Sequence, residues 1–92
     1  MGNTAVGYTA LFNNNANYNT GMGIAALSGN TMGGNNTALG YLALANVTTG
    51  GGNIGIGSGA GQNVMGSGSY TIEIGNSGTP LSLIHISEPT RP

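Results

Sequence analysis

Short apolar alternations punctuate this chain at nearly even intervals. Thr4-Ala5-Val6, Thr20-Gly21-Met22, Thr37-Ala38-Leu39, Ile54-Gly55-Ile56 and Ile72-Glu73-Ile74 each set two large or β-branched residues around a middle position. A period of two marks a short strand with one buried face. The flanking residues are therefore expected to face a core, with Val6, Met22, Leu39, Ile56 and Ile74 forming a ladder within it. The middle residue is Ala or Gly in four of the five triplets, which permits close approach by another backbone. Glycine follows every triplet, at Gly7, Gly23, Gly40, Gly57 and Gly75. That is the residue for which a turn through positive φ costs least. Ala10-Leu11, Ala26-Leu27 and Ala43-Leu44 read as a second short strand in each unit.

The units recur. NTAVGYTAL (3–11), NTGMGIAAL (19–27), NTALGYLAL (36–44), NIGIGSGAG (53–61) and TIEIGNSG (71–78) begin 16, 17, 17 and 18 residues apart. A fixed period of this kind signals a solenoid or stacked array. The connectors FNNNANY, SGNTMGGN, ANVTTGGG and QNVMGSGS carry turn chemistry. Two short strands and two turns account for roughly seventeen residues. The expected fold is all-β: a parallel β-roll or solenoid of about five coils, stacked at about 4.8 Å. Asn19 and Asn36, at equivalent turns, are expected to join side-chain amide ladders between coils. Frequent Gly and Asn argue against a helical reading.

Composition narrows the functional classes. The 92 residues hold one Lys or Arg, two Asp or Glu, one His and no Cys. There is no basic footprint for nucleic acid or anionic lipid, no thiolate metal site or disulfide, and no apolar run long enough to span a bilayer. Glycine is 19 of 92, yet 38% of the chain is hydrophobic and its net charge is −1, unlike the usual disordered composition. One narrow coil buries little apolar area. At about 25 cal/mol per Å2, that struggles against an ordering cost near 1.5 kcal/mol per residue. Self-association is therefore expected, with Tyr8, Ile24 and Tyr41 as a possible apolar ladder.

NTAVGYTALFNNN, NTALGYLAL and GSYTIEIGNSGT resemble the head repeats of bacterial trimeric autotransporter adhesins (the YadA-like head). They resemble more closely the longer-period Asn/Gly-rich version found in tail-fibre-type and surface proteins. The resemblance covers residues 2–80. It implies a left-handed parallel β-roll, packed as a homotrimer, serving as head or spacer of an extracellular fibre and sometimes contacting host surfaces or matrix. TIEIGNSGTP is similar to the segment that closes such arrays. No coiled-coil stalk, anchor or chaperone domain is visible, so anchoring and autoprocessing are not implied, and the chain reads as a fragment.

The last twelve residues, LSLIHISEPTRP, break the repeat: they lack Gly and Asn and contain Glu88, Arg91 and His85. They resemble the translation of a transposase-type sequencing adapter, which reads L-S-L-I-H-I-S-E-P-T-R. Residues 1–80 are thus expected to be the β-roll region and 81–92 a non-native tail, best left out of fold reasoning. Alternation alone would also allow LSLIHIS to be an edge strand.

Without the tail, Glu73 is the sole charged side chain. General acid–base chemistry needs positioned titratable groups, and Ser28 or Ser58 would need a neighbouring base to act as a nucleophile. A zinc site needs three or four ligands. The expected protein is non-catalytic and holds no cofactor or metal. Gly50-x-Gly52-x-x-Gly55 matches a dinucleotide fingerprint but precedes another repeat strand rather than a helix. Asn35-Asn36-Thr37 and Asn46-Val47-Thr48 are glycosylation sequons, which arise readily in an Asn/Thr-rich repeat. Glu73 reads as an outward charge that discourages edge pairing; a ring of three carboxylates holding a cation on a trimer axis is the other reading. An ice- or carbohydrate-binding solenoid, or a spacer to a downstream domain such as an endosialidase-type chaperone, are the alternatives to an adhesive head. Thr occurs only once per strand in the Thr-Ala-Val and Thr-Ala-Leu units, which disfavours ice binding.

Overall fold

The computed structural model describes residues 1–75 and the backbone of 84–86. The proposed boundary after Pro80, and the closing segment beyond Gly75, lie outside the described residues. The fold is an all-β solenoid. Strands β1 (Thr4–Val6), β2 (Thr20–Met22), β3 (Thr37–Leu39), β4 (Ile54–Ile56) and β5 (Ile72–Ile74) pair in sequence order, all parallel. Five parallel rungs enclose about four turns, and no helix occurs among the described residues. β6 (Ile84–Ile86) lies antiparallel on β5, with Glu73 opposite His85 in the register. A short alternating segment is sufficient to pair with an open sheet edge, and β6 falls in the tail that resembles adapter.

Register follows the repeat without slippage. Thr4, Thr20, Thr37, Ile54 and Ile72 form one column, and Val6, Met22, Leu39, Ile56 and Ile74 another. After each triplet the chain turns at glycine: Gly7, Gly23, Gly40, Gly57 and Gly75 have φ between 121° and 132°. These glycines also stack. A Cβ on Gly40 would stand 2.6 Å from the Gly57 carbonyl oxygen, and one on Gly23 2.7 Å from Gly40. Both the conformation and the close approach exclude a side chain.

The segments expected to be second strands are instead chained turns. Ala26 N–H donates to Gly23 O, Ser28 to Ala25 O and Asn30 to Leu27 O, each closing a turn of three residues' span. Every second residue takes positive φ: Thr9 and Leu11, Ala25 and Leu27, Leu42 and Leu44, at 53° to 61°. The next coil places Gly59 and Gly61 at the equivalent sites. Such a spiral has the same two-residue period as a strand, so alternation could not separate them. The coil remains hydrogen-bonded to its neighbours here: Leu11 N–H donates to Ala26 O, Leu27 to Ala43 O and Leu44 to Ala60 O.

The interior is narrow. Leu27, Leu44, Ala26, Ala38, Ala43, Ala60 and Val47 are fully buried, with Leu11 and Val64 nearly so. The middle residues of the triplets, not the flanks, face inward from β2 onward: Gly21, Ala38, Gly55 and Glu73 are buried. The leucine of the preceding turn run fills the space that each small residue leaves. A Cβ on Gly21 would meet Leu11 Cγ at 3.3 Å, and one on Gly55 would meet Leu44 Cγ at 2.7 Å.

Asparagine closes each rung. Asn3 Oδ1 accepts from the Asn19 N–H, Asn19 Oδ1 from Asn36, Asn36 Oδ1 from Asn53, and Asn53 Oδ1 from Thr71, at 2.9–3.0 Å. The side-chain nitrogens of Asn19, Asn36 and Asn53 donate to the carbonyls of Gly33, Gly50 and Gly68. The ladder therefore runs from amide oxygen to backbone N–H, rather than from amide to amide. Asn19, Asn36 and Asn53 are fully buried, a placement only complete pairing makes tolerable.

Candidate functional site

The outer face of the parallel sheet carries an ordered apolar column. Val6, Met22, Ile56 and Ile74 expose 52, 42, 38 and 41% of their surface, and Leu39 is half-buried. The five residues line up rung over rung. Their place corrects the sequence expectation: in the single chain this ladder lies outside the coil, not in its core. The physical reason is width. The coil interior has room for one leucine per turn beside a small strand residue, so the bulkier flanks are turned out. Tyr8, Ile24 and Tyr41 follow the turn glycines and are exposed. Ser58 takes that position in the fourth rung.

Glu73 is likewise corrected. Its side chain is fully buried and occupies the inward column, so it is neither an outward charge nor a carboxylate presented to a trimer axis. Its place has a packing logic. The turn position occupied by Leu11, Leu27 and Leu44 becomes Gly61 in the coil before β5. A Cβ on Gly61 would lie 3.6 Å from Glu73 Cγ and 2.6 Å from Leu44 Cδ2. The stem of Glu73 thus fills the volume that a leucine fills elsewhere, and the large and small partners have exchanged places.

A second feature lies on the connectors that precede β2 and β3. An open cleft of about 400 Å3 is bounded by Asn15, Asn17 and Tyr18 on one side and Met32 and Asn35 on the other. Tyr18 and Asn35 occupy the position just before the rung asparagine, where Gly2 and Gly52 also stand, as does Tyr70 before Thr71 in the last rung, all with positive φ. The Tyr18 ring lies against Gly2, so closely that a Cβ there would meet Cδ1 at 2.8 Å; Tyr70 covers Gly52 in the same way. Sequence reading passed over this cleft because it treated the connectors as turns alone. Aligning the residue before each rung asparagine would have exposed the column.

The remaining motifs take structural places. Gly50, Gly52 and Gly55 are followed by no helix: Gly50 packs on Gly68, where a Cβ would reach the carbonyl oxygen at 1.8 Å, and Gly55 is the middle of β4. Asn46 Nδ2 donates to Gln62 O, while Asn35 is exposed. Among the described residues there is no group of three His, Cys, Asp or Glu side chains positioned to hold a metal, and no helix long and apolar enough to cross a membrane. No family model matches the chain, and comparison with curated proteins and with solved structures finds no match.

Proposed function

We propose that this chain is a non-catalytic structural segment, a head or spacer, of an extracellular bacterial or phage fibre. In this reading its coils are left-handed, and it works as a homotrimer whose copies cover one another's outer sheet faces. The carrying observation is the exposed, in-register apolar ladder from Val6 to Ile74. A contiguous apolar patch of this kind marks an interaction surface, and a closed symmetric assembly is the common way for one surface to be buried by copies of itself. The resemblance of the repeats to trimeric adhesin heads supplies the number three and the surface location. The near absence of charge, with Glu73 buried, suits a stiff rod that takes its strength from backbone ladders. Any contact with host surface or matrix would be made by the coils' other sides.

Glutamates at Met22 and Ile56 test the reading. They stand on the outer face of β2 and β4, where the parent side chains are exposed. The M22E/I56E protein is expected to run as a monomer on size exclusion and to be digested by proteinase K under conditions that leave the parent intact. A double variant that keeps the parent's assembly and resistance would refute an interface on this face.

A further inference from the structure

Most asparagines of this protein spend their amides on its own backbone; those at the cleft do not. Asn3, Asn13, Asn14, Asn19, Asn30, Asn36, Asn46 and Asn53 all donate side-chain hydrogen bonds within the chain. Asn15 and Asn35 make none with their carboxamides, and Asn17 uses only Oδ1, which accepts from the Met1 amine. Three amides with free capacity thus meet across one cleft, beside a tyrosine ring that is 60% exposed and the thioether side chain of Met32. No charged side chain lines it.

That chemistry selects its ligand. A carboxamide offers a donor pair and an acceptor in one plane, which matches vicinal hydroxyls. An aromatic face beside apolar surface suits the C–H face of a sugar ring, since aromatic rings combine an apolar body with a polar tip. A cationic ligand would find no counter-charge, and the one cation beside the cleft, the Met1 amine, is already held by Asn17 Oδ1. A volume near 400 Å3 falls within the usual range of small-molecule sites, about 300–1,000 Å3. We propose that the cleft between the Asn15–Tyr18 and Met32–Asn35 connectors binds a neutral saccharide, one or two rings long, through the amides of Asn15, Asn17 and Asn35 and the ring of Tyr18. The site is complete within one chain and contains none of the outer-ladder residues, so it does not depend on the trimer.

The chain itself supplies conservative variants. Tyr18→Asn installs the residue that Asn35 places at the equivalent position, and Asn35→Gly the residue found at Gly52, so both suit the positive φ. Asn15→Ala removes an amide that supports nothing else. The full chain, isotope-labelled, would be titrated by NMR with cellobiose, lactose, maltose and chitobiose, with sialyllactose as the charged comparison. At least one neutral disaccharide should shift the side-chain amides of Asn15 and Asn35 and the backbone of Tyr18, saturably. Asn15→Ala and Asn35→Gly should each weaken binding by about fivefold, equivalent to about 1 kcal/mol for a hydrogen bond, and Tyr18→Asn should abolish it. Variant spectra that otherwise overlay the parent's would show the fold intact. Absence of saturable shifts at the cleft with every sugar, or binding unchanged in all three variants, would overturn the proposal. Preference for sialyllactose over lactose would overturn its neutrality. The oligomeric state, read from the same samples by diffusion, reports separately on the trimer.

Discussion

The two faces of the parallel sheet are built from neighbouring residues yet obey opposite rules. The inward column, Gly21, Ala38, Gly55 and Glu73, is closed, and its volume is shared with Leu11, Leu44 and Gly61 in the turn runs. The outward column, Val6, Met22, Leu39, Ile56 and Ile74, is larger and more apolar but stays exposed in a single chain, with Leu39 half-buried. Size, not hydrophobicity, decides which residue goes inside. A coil this thin admits one leucine per turn beside a small strand residue, so the bulky strand flanks are turned outward and remain exposed or half-buried in the single chain. Interiors pack at near-crystalline density, and a fixed cross-section turns that into a constraint between positions: where the turn residue is Leu the strand residue is small, and where it is Gly61 the strand residue is Glu73.

Substitutions can break this contrast. The largest effect belongs to the stacked turn glycines. Gly40→Val combines φ of 132° with a Cβ 2.6 Å from the Gly57 carbonyl oxygen, and circular dichroism melting should find the folded state lost. A melt like the parent's would contradict the turn stack. Next comes the inner face. Leu27→Ala empties a fully buried site and should cost about 2–5 kcal/mol. Leu39→Ala, on the half-buried outer column, should cost less in chemical denaturation at concentrations where the chain is monomeric. Equal costs would erase the distinction between faces. The subtlest test is a double-mutant cycle of Gly61→Leu with Glu73→Ala. Each single change should destabilise, one by crowding Leu44 and the other by leaving a void. Together they restore the Leu-plus-small pattern, with a favourable coupling of about 1–3 kcal/mol. Additive effects would mean that the two positions do not share one volume.

Much of the architecture was legible in the sequence. The spacing of the triplets sets the parallel register, the five glycines mark the sharp turns, and Asn19 and Asn36 foretell a ladder, because each is a local signal repeated at a fixed interval. What could not be read was the sense of the alternation. Thr-Ala-Val fits an inward flank or an inward centre equally well, and only the width of the closed coil chooses. The same ambiguity made Ala26-Leu27 look like a strand, although Ala25 and Leu27 take positive φ and it is Ala26 and Leu27 that are buried. Glu73 was misplaced because charge was weighed without the glycine at position 61 that makes room for it. The cleft escaped because Asn15 and Asn35 are unremarkable among so many asparagines; only the fold brings them to one cleft with their amides unspent.

The unfilled outer ladder stands or falls on one measurement. Sedimentation equilibrium of the intact chain at micromolar concentration should give a species three times the 9.0 kDa chain mass, with M22E/I56E falling to one. A parent that stays folded and sediments as a single chain would leave Val6, Met22, Leu39, Ile56 and Ile74 facing water and contradict the account.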